Sequence, residues 1–312
     1  APYIELFRGS LNKDRPVACE CMQKVKAAGP IVKPKHQPPL RMTRAIGVLL
    51  LAAILGACAT PPPPRPLHDE KAEGKPLPYE PPEVERVPPP VLAPVAPRVV
   101  VRGARKIKVV ALTFDACATS DKPSQYDARI AAILQDMQVP ATIFLGGKWM
   151  EERPEETRHL ASIPLFELGN HTFLHPHMTR MSDQRVRDEL QWTQESMYAL
   201  TGRQATLFRA PYGEVDARVT QLVAEAGMTT IQFDLPSGDP DPRATKDKLV
   251  EYVTSMAKNG SIVVMHINGN GRHTAHALPR IIKRLRKRGF ELVTVSEMLR
   301  RQAEEQAKAK AR

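Results

Sequence analysis

From about residue 105 onward, short runs of apolar and β-branched residues alternate with segments whose apolar positions recur every three or four. These two periods mark strands and helices. Lys106–Phe114 (KIKVVALTF) reads as a buried strand, followed by a helix over Tyr126–Met137, a strand at Ala141–Gly147 and a polar helix from Glu151. A short strand LFELGN ends at Asn170, and Ser182 caps a long helix whose apolar face carries Val186, Leu190, Met197 and Leu200. Further along come strand Thr206–Arg209, helix Val215–Ala226, strand Thr229–Asp234, helix Ala244–Lys258 and strand Ser261–His266. Helix Ala275–Lys287, strand Glu291–Val295 and a last helix from Ser296 complete the pattern. About seven strands, each followed by a helix, predict an α/β protein whose parallel sheet closes, or nearly closes, into a distorted (β/α) barrel.

The N-terminal third follows neither period. Arg41 and Arg44 precede an apolar run of about 15 residues, short for a membrane span and suited to a signal peptide. The run ends Leu55-Gly56-Ala57-Cys58, which resembles a bacterial lipobox and implies lipidation of Cys58. Residues 42–57 are therefore expected to be a lipoprotein signal peptide and residues 1–41 a non-native upstream extension. Residues 58–104 are read as a tether, because nearly half of the chain's 30 prolines fall between Pro61 and Pro97. In polyproline form, at about 3.1 Å per residue, it would reach on the order of 100 Å. Residues 105–300 form the expected catalytic domain and 301–312 a charged tail. The expected location is a bacterial envelope, on the periplasmic face of the outer membrane where the host has two membranes, since Ala59 is not the aspartate of inner-membrane retention.

Charge and cysteines add little. The net charge of +11 attracts anionic polymers or headgroups, but no interleaved aromatics or nucleic-acid module accompany it, and no protein partner can be inferred. The four cysteines show no zinc-ligand spacing and no disulfide framework.

Unusual polar residues fall at predicted strand ends: Asp115, His171, Arg209, Asp234 and His266. In parallel α/β folds the chemistry sits at those ends. His171 and His175, four apart, can share one face of a helical turn and chelate a divalent metal. Asp115 can serve as base or ligand, His266 as a second proton-transfer group, and Arg209 can orient a carboxylate.

The segments TFD (Thr113–Asp115), GNHTFLHP (Gly169–Pro176), FRAPYG (Phe208–Gly213), DLPSGD (Asp234–Asp239) and VMH (Val264–His266) resemble, in order, the five motifs of the polysaccharide deacetylase family, carbohydrate esterase family four. HTAHALPRII and GFELVTVSEML resemble its closing segment, so the likeness runs from Lys106 to Leu299. The resemblance implies metal-dependent removal of acetyl groups from N-acetylated sugars of peptidoglycan or an exported poly-N-acetylglucosamine. It also implies a zinc-like metal, with cobalt or nickel as alternatives, on His171 and His175. Asp115 matches the base, His266 the acid tuned by Asp239 or Asp234, and Arg209 the partner of Asp115. The Tyr212 N–H matches an oxyanion donor beside Pro211, and Val264 stands where a leucine usually lines the acetate pocket.

Two positions depart from the family. Ala116 replaces the second aspartate, a metal ligand, and Pro240 replaces a groove tryptophan. Three readings follow: Asp115 ligates the metal itself, Asp121 or Asp127 reaches back as third ligand, or the site holds metal weakly and catalysis is reduced or lost. Cys117 offers a soft thiol, but its place past the strand end is read as the opposite side, so a small buried thiol is the expectation. The alternatives to an active deacetylase are a catalytically weakened carbohydrate-binding lipoprotein on the same fold and an amidase acting on a non-sugar amide.

Overall fold

The computed structural model describes residues 88–119 and 124–311. The signal segment, Cys58 and Asp121 lie outside these residues. Nine strands form one parallel sheet: β1 (Val99–Val100), β2 (Val109–Ala116), β3 (Ala141–Leu145), β4 (Phe166–Asn170), β5 (Leu207–Phe208), β6 (Thr229–Ile231), β7 (Leu235–Pro236), β8 (Ser261–His266) and β9 (Glu291–Leu292). The spatial order is β1-β6-β5-β4-β3-β2-β8-β7, with β9 beside β2. Eight helices accompany the sheet among the described residues: α1 (Ala128–Asp136), α2 (Gly147–Glu152), α3 (Pro154–Ser162), α4 (Asp183–Thr201), α5 (Ala217–Glu225), α6 (Lys246–Met256), α7 (Thr274–Lys287) and α8 (Val295–Lys310).

The two strands beyond the expected seven have local causes. β1 lies in the segment read as tether and pairs with β6 through Val99 and Val100. β7 arises because the strand predicted over Thr229–Asp234 stops at Ile231 and the chain starts again at Leu235, beside Val263 of β8. The helix expected from Glu151 begins at Gly147 and breaks before Pro154, whose ring opens a second helix at its first position. Thr294, predicted in a strand, leaves the sheet so that its Oγ1 accepts from Glu297 N (3.2 Å) and caps α8. Ser182 caps α4 as expected, accepting from Arg185 N (3.2 Å).

Alternation along β2 sorts two cores. Val110, Leu112, Phe114 and Ala116 point outward into the larger apolar cluster under the helices. Val109 and Ala111 point inward with Phe144, Leu207, Ile231, Ile262, Val293 and Met298 of α8. Each fully buried aliphatic or aromatic side chain of this kind contributes about 1.5–3 kcal/mol. The same inward row continues to Thr113 and Asp115, because residues two apart share a face. Their β8 partners in the register are Val264 and His266. The inside of the sheet is thus apolar at the strand beginnings and polar at the strand ends.

The path of ladders ends at β1 and β7, and among the described residues none joins those two strands. Asp234 ties this seam instead. Its carboxylate accepts from Ile262 N (2.8 Å), Ser261 Oγ (3.1 Å) and Arg105 Nη2 (2.7 Å). Gly169 of β4 makes room for Phe144: a Cβ there would lie 2.5 Å from Phe144 Cδ1. That close approach seats the Phe144 ring under the polar layer.

Candidate active site

Arg209 follows β5 and projects into the inner layer with 1 % exposure. Its Nη1 donates to Asp115 Oδ1 (2.9 Å) and Thr113 Oγ1 (2.8 Å), and the Thr113 hydroxyl in turn donates to Val263 O (2.7 Å). The guanidinium lies 4.1 Å above the Phe144 ring centroid, a cation–π contact in a desolvated setting. Burial by itself pushes the Asp115 carboxyl up, but Arg209, through its charge and its hydrogen bond, holds it below the ordinary carboxylate range. Asp115 is therefore an oriented carboxylate with Oδ2 3.8 Å from His171 Nε2.

The histidine pair sits in a loop, not on the helical turn that its spacing suggested. Thr172 and His175 both have left-handed backbones, with φ of 65° and 58°. The loop is bonded along its length. His171 N donates to Leu145 O (3.0 Å), Thr172 N to Asn170 Oδ1 (3.0 Å) and His175 N to Thr172 Oγ1 (3.1 Å). Phe173 N and Leu174 N both donate to Glu189 Oε2 (2.7 and 2.8 Å), a fully buried acid that Arg185 grips at Oε1. His171 Nδ1 bonds the Arg209 carbonyl (2.8 Å), which leaves Nε2 for the site. Burial lowers the pKa of both rings, that of His175 to about 3, so both are neutral imidazoles. His175 Nδ1 is buried without a hydrogen-bond partner. Neutral rings with one anchored nitrogen and one orphaned nitrogen suit a divalent metal.

Cys117 Sγ and a ring nitrogen from each of His171 and His175 all lie within 4.8 Å of one another. This corrects the expectation for Cys117. β2 ends at Ala116, and residues two apart share a side in any case, so Cys117 follows Asp115 to the site. Asp115 lies outside this three-atom group. Asp127 is engaged elsewhere, capping α1 at Arg129 N (3.2 Å) and pairing with Arg129 Nη2 (2.7 Å), so it does not reach back.

On β8, His266 Nδ1 meets Asp239 Oδ1 (2.9 Å), and His266 N donates to Asp239 Oδ2 (2.7 Å). Thr274 Oγ1 (2.7 Å) and Ser237 Oγ (2.9 Å) fill the remaining capacity of this buried carboxylate. Burial opposes charge on the ring, but Asp239 outweighs it and raises the His266 pKa. Of the two aspartates considered for His266, Asp239 is its partner, whereas Asp234 sits at the beginning of β8 rather than its end. Pro211 is buried at the start of a single 3₁₀ turn with Tyr212, whose φ is 58°. Val264, 7 % exposed, shares the inward face of His266. His177 and Glu214 are additions: His177 stacks on Tyr212 (4.0 Å between centroids) and its Nδ1 meets Glu214 Oε2 (2.8 Å). His177 was legible only as one more histidine, directly after the segment Gly169–Pro176.

A parallel sheet with two oppositely tuned acid–base groups and a metal-competent histidine pair at its strand ends defines a metal-assisted hydrolase. The sequence model of the polysaccharide deacetylase family matches residues 102–231. A peptidoglycan-N-acetylglucosamine deacetylase of Bacillus cereus is 31 % identical over 199 residues, covering 62 % of this chain and 89 % of the relative. A peptidoglycan-N-acetylmuramic acid deacetylase of Bacillus subtilis is 26 % identical, covering 63 % and 73 %. Among solved structures, a CE4 family pseudoenzyme from Bacillus anthracis superposes with a TM-score of 0.60 at 29 % identity, covering 66 % of this chain and 70 % of the other. The chain belongs to the polysaccharide deacetylase family, whose chemistry is metal-dependent.

Glu189 was not singled out from sequence, although an acid on the apolar stripe between Val186 and Leu190 was the visible signal. Glu189→Ala strands the buried Phe173 N–H and the half-buried Leu174 N–H of the histidine loop, the buried one at about 1–3 kcal/mol and the other at less. The expected outcome is a loss of about 2–4 kcal/mol in denaturant unfolding, with Glu189→Gln losing less because it keeps one acceptor.

Proposed function

We propose that this chain hydrolyses the N-acetyl groups of an envelope glycan, peptidoglycan or a polymer of N-acetylglucosamine. The metal is zinc, with cobalt or nickel as alternatives. The observation that carries the reading is that Asp115 pairs with Arg209 (2.9 Å) and His266 with Asp239 (2.9 Å) beside the histidine pair, all at one end of the sheet.

His171 and His175 would hold the metal, which when bound polarises the acetamide carbonyl and acidifies a water. Asp115, fixed through Oδ1 by Arg209, keeps Oδ2 available to take a proton from the attacking water. The Tyr212 N–H, carried by its left-handed turn, donates to the carbonyl oxygen as that atom gains charge. His266, with Nδ1 committed to Asp239, delivers a proton from Nε2 to the departing amine. The products are acetate and a free amino sugar. Pro211 and Tyr212 flank the sugar, and Val264 lines the acetyl side.

Ala116 and the likeness to a CE4 pseudoenzyme favour a second reading, a glycan-binding protein with weakened chemistry. The retained pairs speak against it: a binding surface has no use for two buried, oppositely tuned ion pairs. We further propose that a lipid on Cys58 anchors the chain to a bacterial membrane, which would confine the domain to polymers near the bilayer.

Acetate release from N-acetylglucosamine oligomers with added zinc or cobalt tests the activity. His175→Ala is expected to abolish turnover and metal together, whereas no acetate from the metal-loaded wild-type chain sinks the proposal. The rate needs His266 protonated, so activity falls as pH rises through the His266 pKa, which Asp239 has raised. Asp239→Asn should therefore move the basic limb of the pH–rate profile down by roughly one to two units and leave the acidic limb in place. For the anchor, Cys58→Ser should release the protein from membranes in fractionation, and retention would refute lipidation.

A further inference from the structure

Ala116 leaves the metal site one ligand short of the family pattern. Its side chain is no help, since it faces the helices in the outer core, fully buried among apolar residues. The next residue is another matter. Cys117 Sγ stands within 4.8 Å of ring nitrogens of both His171 and His175, and these are the described residues that group as ligands. Ligand atoms around a tetrahedral zinc lie roughly 3.5 Å apart, given bonds of about 2.0–2.3 Å. The trio is therefore wider than a closed zinc site by at most about 1.3 Å.

The surroundings of the sulfur match a ligand better than a packing residue. Asn268 is 6 % exposed and follows β8. Its Nδ2 donates to Cys117 Sγ (3.0 Å) and to Cys117 O (3.0 Å), so one amide group fixes both the backbone and the sulfur. Asn268 Oδ1 is in turn held by Asn270 N (3.4 Å). An oriented N–H aimed at sulfur favours the thiolate, the form that binds metal. His171 has the matching outer partner, the Arg209 carbonyl on Nδ1 (2.8 Å). On the opposite ring, the buried Nδ1 of His175 has no hydrogen-bond partner, a cost that a buried polar atom normally avoids.

The geometry points to a two-histidine, one-thiolate metal site in which Cys117 takes the place of the missing carboxylate. This inference rests on the metal-dependent reading above. Cysteine thiolate and aspartate carry the same charge, so the substitution preserves the electrostatics of the centre while softening it. Soft thiolate ligands select zinc or cobalt and disfavour magnesium, calcium and manganese, which prefer oxygen. Three protein ligands with one open position is the arrangement of catalytic zinc, and both two histidines with one anionic residue and mixed cysteine–histidine sets are among its forms. With the thiolate in place, Asp115 is free to stay on Arg209 as a base.

Cobalt substitution of the full chain tests this without relying on turnover. A thiolate ligand gives an intense sulfur-to-cobalt charge-transfer band in the near ultraviolet, in addition to the visible ligand-field bands. The wild-type chain is expected to bind stoichiometric cobalt and show that band. Cys117→Ser should lose the band and weaken cobalt binding by more than about 100-fold, beyond the roughly 10–100-fold that an outer-shell partner supplies. Asn268→Ala should keep the band and weaken binding by about 10-fold. Cys117→Asp, which restores a carboxylate, should bind cobalt stoichiometrically without the band, and it serves if the serine variant fails to fold. Replacing Cys19, Cys21 and Cys58 together should leave the band intact. Stoichiometric cobalt without a charge-transfer band in the wild type, or an unchanged band and affinity in Cys117→Ser, overturns thiolate ligation and leaves the deacetylase reading standing. Cobalt bound with the band but no acetate released overturns the deacetylase reading alone, and no cobalt bound by the wild type overturns both.

Discussion

Arg209 is the constraint around which the strand ends are arranged. A guanidinium that is 1 % exposed is affordable only with its charge met and its protons used. Asp115 meets the charge, and Thr113 Oγ1 takes a second bond from the same nitrogen. Weaker contacts from Nε to Ile231 O (3.4 Å) and from Nη2 to Gln232 O (3.4 Å) face the end of β6. The Arg209 carbonyl then fixes the tautomer of His171. One residue thereby sets the orientation of the proposed base and of a proposed metal ligand, and it links the ends of β2, β4, β5 and β6. Phe144, admitted by Gly169, supplies the ring beneath it.

Around that centre the backbone is strained where the chemistry is. Of four non-glycine residues with positive φ among the described residues, Thr172, His175 and Tyr212 are at the site. Such conformations cost about 1–3 kcal/mol each and persist only where the surroundings over-determine them. Here the surroundings are Glu189, which takes two successive loop N–H groups, and Asn170, whose Nδ2 reaches Leu190 O (3.0 Å) while its Oδ1 holds Thr172 N. The long helix α4 is therefore both scaffold and clamp for the histidine loop. Its buried face mixes Val186, Leu190 and Met197 with Glu189, Thr193 and Gln194 for that reason.

Much of this was legible in the sequence because the two periods are strong: every strand of more than three residues and all the long helices were read within a few positions. Asp115, Arg209, His171, His175 and His266 were visible as polar residues at strand ends. The parts that were not legible depend on distance rather than order. Nothing in the local pattern distinguishes Asp234, a tie across the open seam, from Asp239, the His266 partner, since both follow β6 within one short motif. Cys117 was misplaced because strand alternation puts residues one apart, not two apart, on opposite sides, so a residue two past Asp115 belongs on its side. β1 and β7 are two residues long, too short to carry a period, and exist because a neighbouring strand offers them hydrogen bonds.

The two acid–base pairs bear on what kind of protein this fold has been kept as. A buried ion pair contributes little to stability, and apolar replacements of similar volume are often neutral or better. A scaffold selected only to bind glycan would gain nothing from holding Asp115 low with an arginine and His266 high with an aspartate in the same inward layer. Opposed tuning of neighbouring groups is useful when one must accept a proton and the other must donate it at the same pH. The exchange of an aspartate pattern for Ala116 and Cys117 fits the same logic. A negatively charged ligand moves by one residue, the arginine keeps its carboxylate, and neither pair has to be rebuilt.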